Sequence, residues 1–387
     1  MTELENKKII IATHVYATGP AQDWRDFFIG EPVAELLFIS HPLFFDSRLK
    51  SSGYEYYKKG NQIKENYYRI KKIPALLSYI KDVWLNIYWV MISGQKWDLY
   101  IGNDNLNALA GVILKWLGWV NKTVYYVIDY NPRRFKNTLL NQIYHWIDQA
   151  AVRYSDQTWN LSPRMIEGRE RYFGFQDNKQ KVVPIGIWFE RFQRLDFSAI
   201  NKHTLVFMGH ILKKQGVQYV LAAVPQIIKI IPDFKFLVIG GGEYLPELKA
   251  QVEQLKIALA VEFTGYIESH EKVEKMLSAA GLAVAMYDKY DEQGNLSFTY
   301  FADPGKIKAY LAGGLPILLT DVSYNAKEIA DWHCGQTIES DPESIALAVI
   351  KIMQDEKTLA EYRRNAIAYA SRFDWNLIIK NTLKEIL

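Results

Sequence analysis

Residues 204–242 of the chain read TLVFMGHILKKQGVQYVLAAVPQIIKIIPDFKFLVIGGG. An apolar, β-branched run at 204–208 is followed by a loop at 209–216 and a helix-length apolar segment at 217–230. A second apolar run at 235–239 ends in three glycines. The order strand, helix, strand is typical of an α/β fold with a parallel, doubly wound sheet.

The same alternation extends on both sides of this stretch, which predicts two Rossmann-like halves. Before it, we predict strands at 8–12, 35–39, 97–101, 123–128 and 157–161, with helices at 21–28, 105–117 and 137–154. After it, we predict strands at 261–264, 282–286 and 316–319, with helices at 271–279, 305–311 and 342–355. The segment VVPIGIWFERF at 182–192 carries a Pro and a Gly between the two patterns, so it is the predicted joint. The predicted domains are 1–187 and 188–372.

The composition supports two packed domains. With 387 residues, 49% apolar and 14% aromatic, the chain is neither disordered nor fibrous. The 46 basic and 43 acidic residues give a net charge of +3, so no overall field indicates a nucleic-acid partner. A single cysteine, Cys334, excludes an internal disulfide framework and is typical of the reducing cytosol.

No export signal and no membrane span are expected. The N-terminus MTELENKK lacks the basic start and long apolar stretch of a secretion signal. The most apolar stretches, 83–92 and 108–120, are shorter than the ~18 to 20 residues that cross a bilayer. We therefore expect a protein that can touch a membrane without crossing it.

Ligands of open α/β sheets bind beyond the carboxyl ends of the strands, and two such sheets facing a cleft would place a site there. This rule selects the loops at 19–23, 129–135, 209–216, 240–243, 265–266 and 287–306.

Lys306 carries the clearest chemical signal. In TYFADPGKIKAYLAGGLPILLTD, at 299–321, Pro304 indicates a helix start and Lys306 falls in the first turn. A cation there opposes the helix dipole, unless an anion lies over the same backbone amides. We predict that Lys306 binds a diphosphate and offsets the charge that develops on it as a leaving group. The alternative is a solvated surface lysine.

Seven segments carry a family resemblance. They are ATGPAQDW (17–24), VVPIGIWFERF (182–192), VFMGHILKKQGV (206–217), LVIGGGEYLPELK (237–249), VEFTGYIESHEKVEKML (261–277), DPGKIKAYLAGGLPILLT (303–320) and SRFDWNLI (371–378). In this order and spacing the chain resembles the GT-B nucleotide-sugar glycosyltransferases. It is most similar to the retaining family with a glycogen-synthase-like donor domain, which builds bacterial polysaccharides and glycolipids. The similarity to the xanthan glucuronosyltransferase, an inverting enzyme, is looser.

The resemblance implies a sugar nucleotide bound by the second domain and an acceptor bound by the first. It also implies that the last helix, within 373–387, packs on the first domain. Residues 262–266 would offer backbone hydrogen bonds to the base, and Gly19 would leave space for the transferred sugar. The implied donor contacts are Gly19, Gly209, His210, Lys214, Gly241, Glu243, Tyr266, Tyr300, Asp303 and Lys306. The implied acceptor contacts are Gln22, Arg133 and Arg134.

Two positions depart from the retaining family's pattern. The usual Gly-Arg and Lys-Gly pairs read here as Gly209-His210 and Gln215-Gly216, so His210 and Lys214 would have to replace two phosphate-binding cations. One of the family's paired glutamates is replaced by Ala309, so Asp303 or Tyr300 would have to contact the ribose or the sugar. Both the retaining and the inverting outcome therefore stay open.

Asp129 is the predicted catalytic base for an inverting displacement. It follows the apolar run YYVI in the first domain and precedes YNPRRF, where Arg133 and Arg134 could bind an anionic acceptor. A carboxylate at the end of a strand is suited to accept the proton of an acceptor hydroxyl. The alternative is an aspartate that stabilises the turn before Asn131-Pro132.

The sequence predicts no catalytic metal and no cofactor. The chain contains no D-x-D triplet, and its histidines lack a spacing typical of ligands. The three glycines at 240–242 do not follow a first strand and are not a dinucleotide fingerprint.

Residues 48–96 form a basic aromatic segment. It contains ten Lys or Arg against three acidic residues, interleaved with nine Tyr or Trp. This composition is typical of a surface that binds the membrane interface, and it also suits single-stranded nucleic acid. A solvated helical face with core aromatics is the remaining alternative. Because acceptors in the resembled family are often lipid-linked, we favour peripheral contact with a membrane.

The sequence therefore predicts a glycosyltransferase that moves a sugar from a nucleotide diphosphate donor, UDP-linked, to a membrane-associated glycan or lipid-linked acceptor in cell-surface polysaccharide synthesis. The expected location is the cytoplasm, at the inner face of the cell membrane, with no nucleic-acid partner. Two alternatives stay open: a nucleotide-sugar epimerase of the same fold, and a non-catalytic partner subunit that retains the fold.

Overall fold

The computed structural model describes residues 4–15, 19–31, 33–43, 51–68 and 74–387. The chain divides into two compact units. Unit 1 comprises Met1–Pro184 and Asn376–Leu387, and unit 2 comprises Ile185–Trp375. These limits lie within a few residues of the domain limits expected from the sequence.

Unit 1 is built on an eight-stranded sheet. Its strands are β1 (Lys8–Val15), β2 (Glu35–Pro42), β3 (Ser52–Lys58), β4 (Asn61–Tyr68), β5 (Trp97–Gly102), β6 (Val120–Val127), β7 (Gln157–Asn160) and β8 (Gln180–Val182). They are ordered β4-β3-β2-β1-β5-β6-β7-β8. Strands β1, β2 and β5 to β8 are parallel, which confirms the predicted α/β sheet.

The sheet departs from a wholly parallel prediction at one edge. Strands β3 and β4 form an antiparallel hairpin that pairs with β2. The turn places Lys59 at φ 48° and Gly60 at φ 77°, and positive φ at both central residues is the geometry of a tight hairpin turn. The interpretation of this part of the basic aromatic segment as a helical face is therefore wrong for 52–68.

Five helices of unit 1 connect these strands: α1 (Pro20–Gly30), α2 (Ala75–Ile92), α3 (Asn105–Trp116), α4 (Thr138–Tyr154) and α5 (Pro163–Phe173). The side chains of Asp104 and Asn137 cap α3 and α4 by accepting hydrogen bonds from backbone amides of their first turns. Helix α3 packs between α2 and α4. The core contains Ile10, Ile39, Trp89, Trp97 and Tyr100, all buried.

Unit 2 is built on a six-stranded, wholly parallel sheet. Its strands are β9 (Asn201–Met208), β10 (Lys235–Ile239), β11 (Val261–Gly265), β12 (Ala280–Ala285), β13 (Ile317–Leu319) and β14 (Gly335–Thr337). They are ordered β11-β10-β9-β12-β13-β14. The predicted strand–helix–strand stretch at 204–242 forms β9, a helix and β10.

Nine helices follow in the rest of the described chain: α6 (Val217–Ile230), α7 (Leu245–Leu255), α8 (His270–Ala279), α9 (Phe298–Phe301), α10 (Gly305–Ala312), α11 (Ala326–Asp331), α12 (Pro342–Gln354), α13 (Glu356–Ser371) and α14 (Trp375–Lys384). Helices α6 and α12 pack together over a core that includes Leu205, Phe207, Val224 and Val349. Within the described residues, no helix has the length and apolar character required to cross a bilayer.

Candidate functional site

Two glycines at the carboxyl edge of the unit 2 sheet bring its central loops close together. Gly209 follows β9 with φ 143°, and Gly240 follows β10 with φ 135°, both in the left-handed half of backbone space. The amide of Gly209 donates to the carbonyl of Ile239 over 2.9 Å. A Cβ on Gly240 would overlap the carbonyl of Gly209, so only glycine fits there.

Lys306, the second residue of α10, lies against this glycine edge. An ideal Cβ on Gly209 would stand 3.5 Å from its Nζ. The ammonium donates to Oε1 of Gln215 over 2.6 Å and lies 4.3 Å and 4.8 Å from the ring centroids of Phe207 and Tyr287. The side chain is half-buried, so part of it stays open to solvent.

The electrostatic setting of Lys306 is unusual for a lysine. Burial lowers its pKa to about 7, and among the described residues no carboxylate offsets that effect. Gln215 and the two aromatic rings stabilise the charged form only through dipoles and π electrons. A half-buried cation that no described carboxylate neutralises, at the start of a helix and beside the backbone of Gly209, is suited to bind an anion.

Lys308, two residues after Lys306 in the same helix, shows the contrasting arrangement. It is fully buried and forms an ion pair with Asp303, whose other oxygen accepts from the amide of Ile185 over 2.8 Å. Asp303 is therefore held by protein groups on both oxygens. Asp303, a predicted sugar contact, thereby holds the loop that precedes α10.

The other predicted donor residues lie along the same edge. The Gly241 carbonyl accepts from the amide of Ile211 over 2.9 Å, and Lys214 lies 5.0 Å from the ring centroid of Phe298. Tyr300 packs edge-on against Phe301. His210, Glu243 and Tyr266 are exposed, and the exposed fraction of Tyr266 is 79%. These side chains surround the glycine edge, and their roles stay predictions.

In unit 1, Gly19 and Gln22 form the N-terminal cap of α1. The amide of Gly19 donates to the side-chain oxygen of Gln22 over 3.0 Å, and no described residue lies within 4 Å of an added Cβ on Gly19. That Gly19 leaves space for the transferred sugar stays a prediction.

Asp129 lies beyond the end of β6 and is partly exposed. Its carboxylate forms an ion pair with Arg134, whose guanidinium also lies 5.6 Å from the ring centroid of Tyr144. The amide of Arg133 donates to the side chain of Asn131, as in an Asx turn. The predicted base, Asp129, and one predicted acceptor contact, Arg134, therefore bind each other.

Sequence reasoning missed a polar cluster at the carboxyl ends of β1, β2 and β5. His14 lies 2.8 Å from Asp104 through Nδ1 and 3.3 Å from Asp82 through Nε2, while His41 lies 3.2 Å from Asp82. These residues come from four separate parts of the chain, and no motif joins them. His14, His41 and Asp104 lie within three residues of the ends of predicted strands, which was the only available signal, and Asp82 lies within α2. Among the described residues, no group of three or more His, Cys, Asp or Glu is suited to a metal ion.

Known proteins share the sequence pattern of unit 2. Residues 202–355 match the sequence model of the family described as "Glycosyl transferases group 1". The phosphatidyl-myo-inositol mannosyltransferase of Mycolicibacterium smegmatis is 26% identical over 188 residues, which cover 48% of this chain and 45% of that protein. The chain spans about half the length of the curated relatives it matches.

Solved structures share the fold of nearly the whole chain. The sucrose-phosphate synthase of Thermosynechococcus elongatus has a TM-score of 0.73 at 16% identity, and 98% of each chain is covered. The Anabaena HepE protein in complex with UDP-glucose has a TM-score of 0.68 at 17% identity, covering 98% of this chain and 99% of that one. The resemblance to GT-B glycosyltransferases is therefore confirmed, and the fold is theirs.

Proposed function

We propose that this protein is a glycosyltransferase that moves a sugar from a nucleotide diphosphate donor to a glycan or lipid-linked acceptor. The observation that carries the proposal is Lys306. It is a half-buried ammonium with no carboxylate partner in the described part of the chain, and it lies at the start of α10 against the backbone of Gly209. A nucleotide diphosphate supplies the missing anion, and the match of residues 202–355 to a glycosyltransferase family supports the same chemistry.

The geometry supports separate roles for several groups at the diphosphate. The bond between the anomeric carbon and the diphosphate oxygen breaks while an acceptor oxygen bonds to that carbon, so negative charge grows on the leaving diphosphate. Lys306 and the amides at the N-terminus of α10 stabilise that charge. Gln215 orients the ammonium, and Gly209 and Gly240 permit close approach of the backbone. No step of this scheme requires a metal.

The donor is proposed to be a UDP-sugar. The HepE complex with UDP-glucose, a protein of the same fold, supports this choice. Uridine would lie near 262–266, where the end of β11 offers backbone groups and Tyr266, the next residue, offers an exposed ring.

For the acceptor, Asp129 stays our candidate to orient or deprotonate the attacking hydroxyl. Its ion pair with Arg134 must open or rearrange for that role, because the guanidinium occupies the carboxylate that would contact the hydroxyl. Arg133 and Arg134 stay candidates for an anionic acceptor.

Peripheral membrane contact of unit 1 belongs to the same proposal. Five apolar side chains recur at helical spacing on the exposed face of α2: Leu77, Ile80, Trp84, Tyr88 and Met91. The β3–β4 hairpin adds the exposed cations Lys58, Lys59 and Lys64. Apolar and basic groups together suit the surface of an anionic bilayer at the inner face of the cell membrane. The predicted cations Arg48, Lys50, Arg69, Lys71 and Lys72 lie outside the described residues.

The test is a thermal-shift and calorimetric panel of UDP, GDP, ADP and their glucose conjugates. We expect wild type to bind one nucleotide and Lys306→Met to lose it, since ligand binding to the folded state raises its stability. Lys249→Ala, an exposed lysine of α7, is the matched control and should bind normally.

The outcomes separate the alternatives. Sugar transfer to an added acceptor, with release of the nucleotide, supports the proposal. An isomerised sugar nucleotide formed without an acceptor would indicate an epimerase. Absence of nucleotide binding by wild type would overturn the proposal and favour the non-catalytic partner subunit.

A further inference from the structure

The face of α10 that carries Lys306 also carries a buried tyrosine. Lys306 and Tyr310 are four residues apart in this helix, so their side chains lie on the same face, one turn from each other. Tyr310 is fully buried, and its hydroxyl reaches the backbone of Met208, the last residue of β9. The proposed mechanism uses Lys306 but gives Tyr310 no role.

The hydroxyl of Tyr310 binds both backbone groups of Met208. It accepts a hydrogen bond from the amide of Met208 over 2.6 Å and donates to the carbonyl of the same residue over 3.3 Å. Burial raises the pKa of Tyr310, so the hydroxyl keeps its proton at neutral pH and can both accept and donate. One side-chain oxygen therefore satisfies the whole backbone hydrogen-bonding capacity of one residue.

These two backbone groups lie where the strand ladder of unit 2 stops. The amide of Gly209, the next residue, donates to the end of β10 over 2.9 Å. Because the backbone groups of consecutive strand residues point to opposite sides, those of Met208 point away from β10 and toward β12. Among the described residues, the register between β9 and β12 ends at Val206, two residues earlier. The Tyr310 hydroxyl therefore takes the place of a neighbouring strand.

The last two residues of β9 and the glycine that follows all contact this face of α10. The ring centroid of Phe207 lies 4.3 Å from Nζ of Lys306, and an ideal Cβ on Gly209 would stand 3.5 Å from the same atom. Between them, Met208 is bound to Tyr310. This hydrogen bond fixes the position of α10 along β9, and with it the distance from the ammonium of Lys306 to the backbone of Gly209.

We propose that Tyr310 is a positioning residue of the diphosphate site, whose hydroxyl ties α10 to the end of β9 and holds Lys306 against Gly209. Tyr310 does not touch the ligand and acts through these two groups. A diphosphate bridges them when it binds, so holding them in place beforehand lowers the entropy that binding must remove. The inference rests on the proposed function for its ligand and extends it to a buried, neutral side chain.

The experiment compares wild type with Tyr310→Phe, which keeps the buried ring and removes the hydroxyl. Calorimetry measures the affinity for UDP, and saturation-transfer NMR measures the affinity for uridine, which lacks the phosphates. The UDP affinity should fall about tenfold, because the backbone groups of Met208 lose their partner and the end of β9 shifts away from Lys306. The uridine affinity should stay as in wild type.

Tyr126→Phe is the matched control. Tyr126 is also fully buried, but it lies in unit 1, where its hydroxyl donates to the carbonyl of Val183 over 3.3 Å. Urea denaturation measures the free energy of unfolding of both variants, which should fall in each. The affinity for UDP should fall in Tyr310→Phe and stay unchanged in Tyr126→Phe.

Two results would overturn the inference while leaving the proposed function intact. An unchanged UDP affinity in Tyr310→Phe, together with a lower free energy of unfolding, would make the hydroxyl merely structural. Equal losses of affinity for UDP and uridine would show a general change in the nucleotide site and no specific effect on the phosphates.

Hydrogen exchange of wild type tests the same inference without relying on a variant that folds. The amide of Met208 should exchange slowly before any ligand is added, because Tyr310 already binds it. Fast exchange that slows only when UDP is added would contradict positioning in advance. Failure of wild type to bind UDP is a separate result and counts against the proposed function itself.

Discussion

At the scale of single residues, Lys306 and Lys308 of α10 differ in the groups that stabilise their charge. Lys308 has Asp303 as a partner inside the protein, whereas the contacts of Lys306 among the described residues are the side-chain amide of Gln215 and two aromatic rings. The sequence identified Lys306 because a cation in a first helical turn conflicts with the dipole. Asp303 stays a predicted ribose or sugar contact, and no local pattern indicated that one of its oxygens accepts from the amide of Ile185.

The pKa of Lys306 makes nucleotide binding depend on pH. Burial lowers that pKa to about 7 in the free protein, and a bound diphosphate favours the charged form. Binding therefore takes up a proton above pH 7, so the affinity should fall by up to about tenfold per pH unit as pH rises from 7.5 to 9. Calorimetry of UDP in buffers of different ionisation enthalpy measures both the affinity and the proton uptake.

The control for this prediction is the diphosphate itself, whose phosphate has a pKa of about 6 and is already ionised in that range. In Lys306→Met, any residual binding of UDP should no longer depend on pH in this range. An affinity for UDP that is constant between pH 7.5 and 9 would contradict the prediction, because either Lys306 stays charged over this range in the free protein or it does not contact the phosphates.

At the scale of elements, the strands and helices with a clear apolar period were predicted close to their observed limits. The predicted strand at 204–208 falls within β9, and the predicted helix at 217–230 is α6. The β3–β4 hairpin was missed because β4 is almost entirely exposed and lacks an apolar period, so pairing with β3 defines it. Its turn begins with a lysine at positive φ, which sequence preference does not indicate.

The exposed face of α2 leads to a prediction about membranes. Trp84 and Tyr88 stack at 5.0 Å between ring centroids and are 57% and 42% exposed. Aromatic side chains with a polar end favour the membrane interface, so Trp84→Ser with Tyr88→Ser should reduce binding to vesicles of anionic lipid several-fold. Co-sedimentation with vesicles of phosphatidylglycerol and phosphatidylcholine measures it.

Leu347→Ser provides the matched control, because Leu347 is equally exposed on α12 of unit 2. It should leave vesicle binding unchanged. Equal losses in the two variants would show a general effect of surface apolarity, and no loss in either would remove α2 from the proposed contact.

At the scale of the whole molecule, the alternation of strands and helices was enough to predict two Rossmann-like units, because each unit repeats the same pattern on its own core. The polar cluster around His14 was not predictable in this way. Its members are at positions 14, 41, 82 and 104, far apart in the sequence, and the order of strands in the sheet brings them together. The apolar pattern within one strand or helix predicts that element and the face it buries. A site whose residues come from several loops can be predicted only when the order of the strands is known.

The last residues of the chain, Asn376–Leu387, belong to unit 1, and their contribution to its stability can be tested. Within that unit, Lys380 of α14 lies 2.6 Å from Glu31 and Gln157 donates to the carbonyl of Glu385 over 3.2 Å, while Ile379 is fully buried. An exposed ion pair contributes little, but Ile379→Ala removes core contacts and should lower the free energy of unfolding by about 2–5 kcal/mol. Hydrogen exchange should then speed up in β6 and β7, while the protection that UDP gives to 209–216 and 240–243 in unit 2 stays as in wild type. Lys380→Ala, the control, should change exchange only slightly; faster exchange throughout both units would mean that α14 stabilises the chain as one cooperative structure.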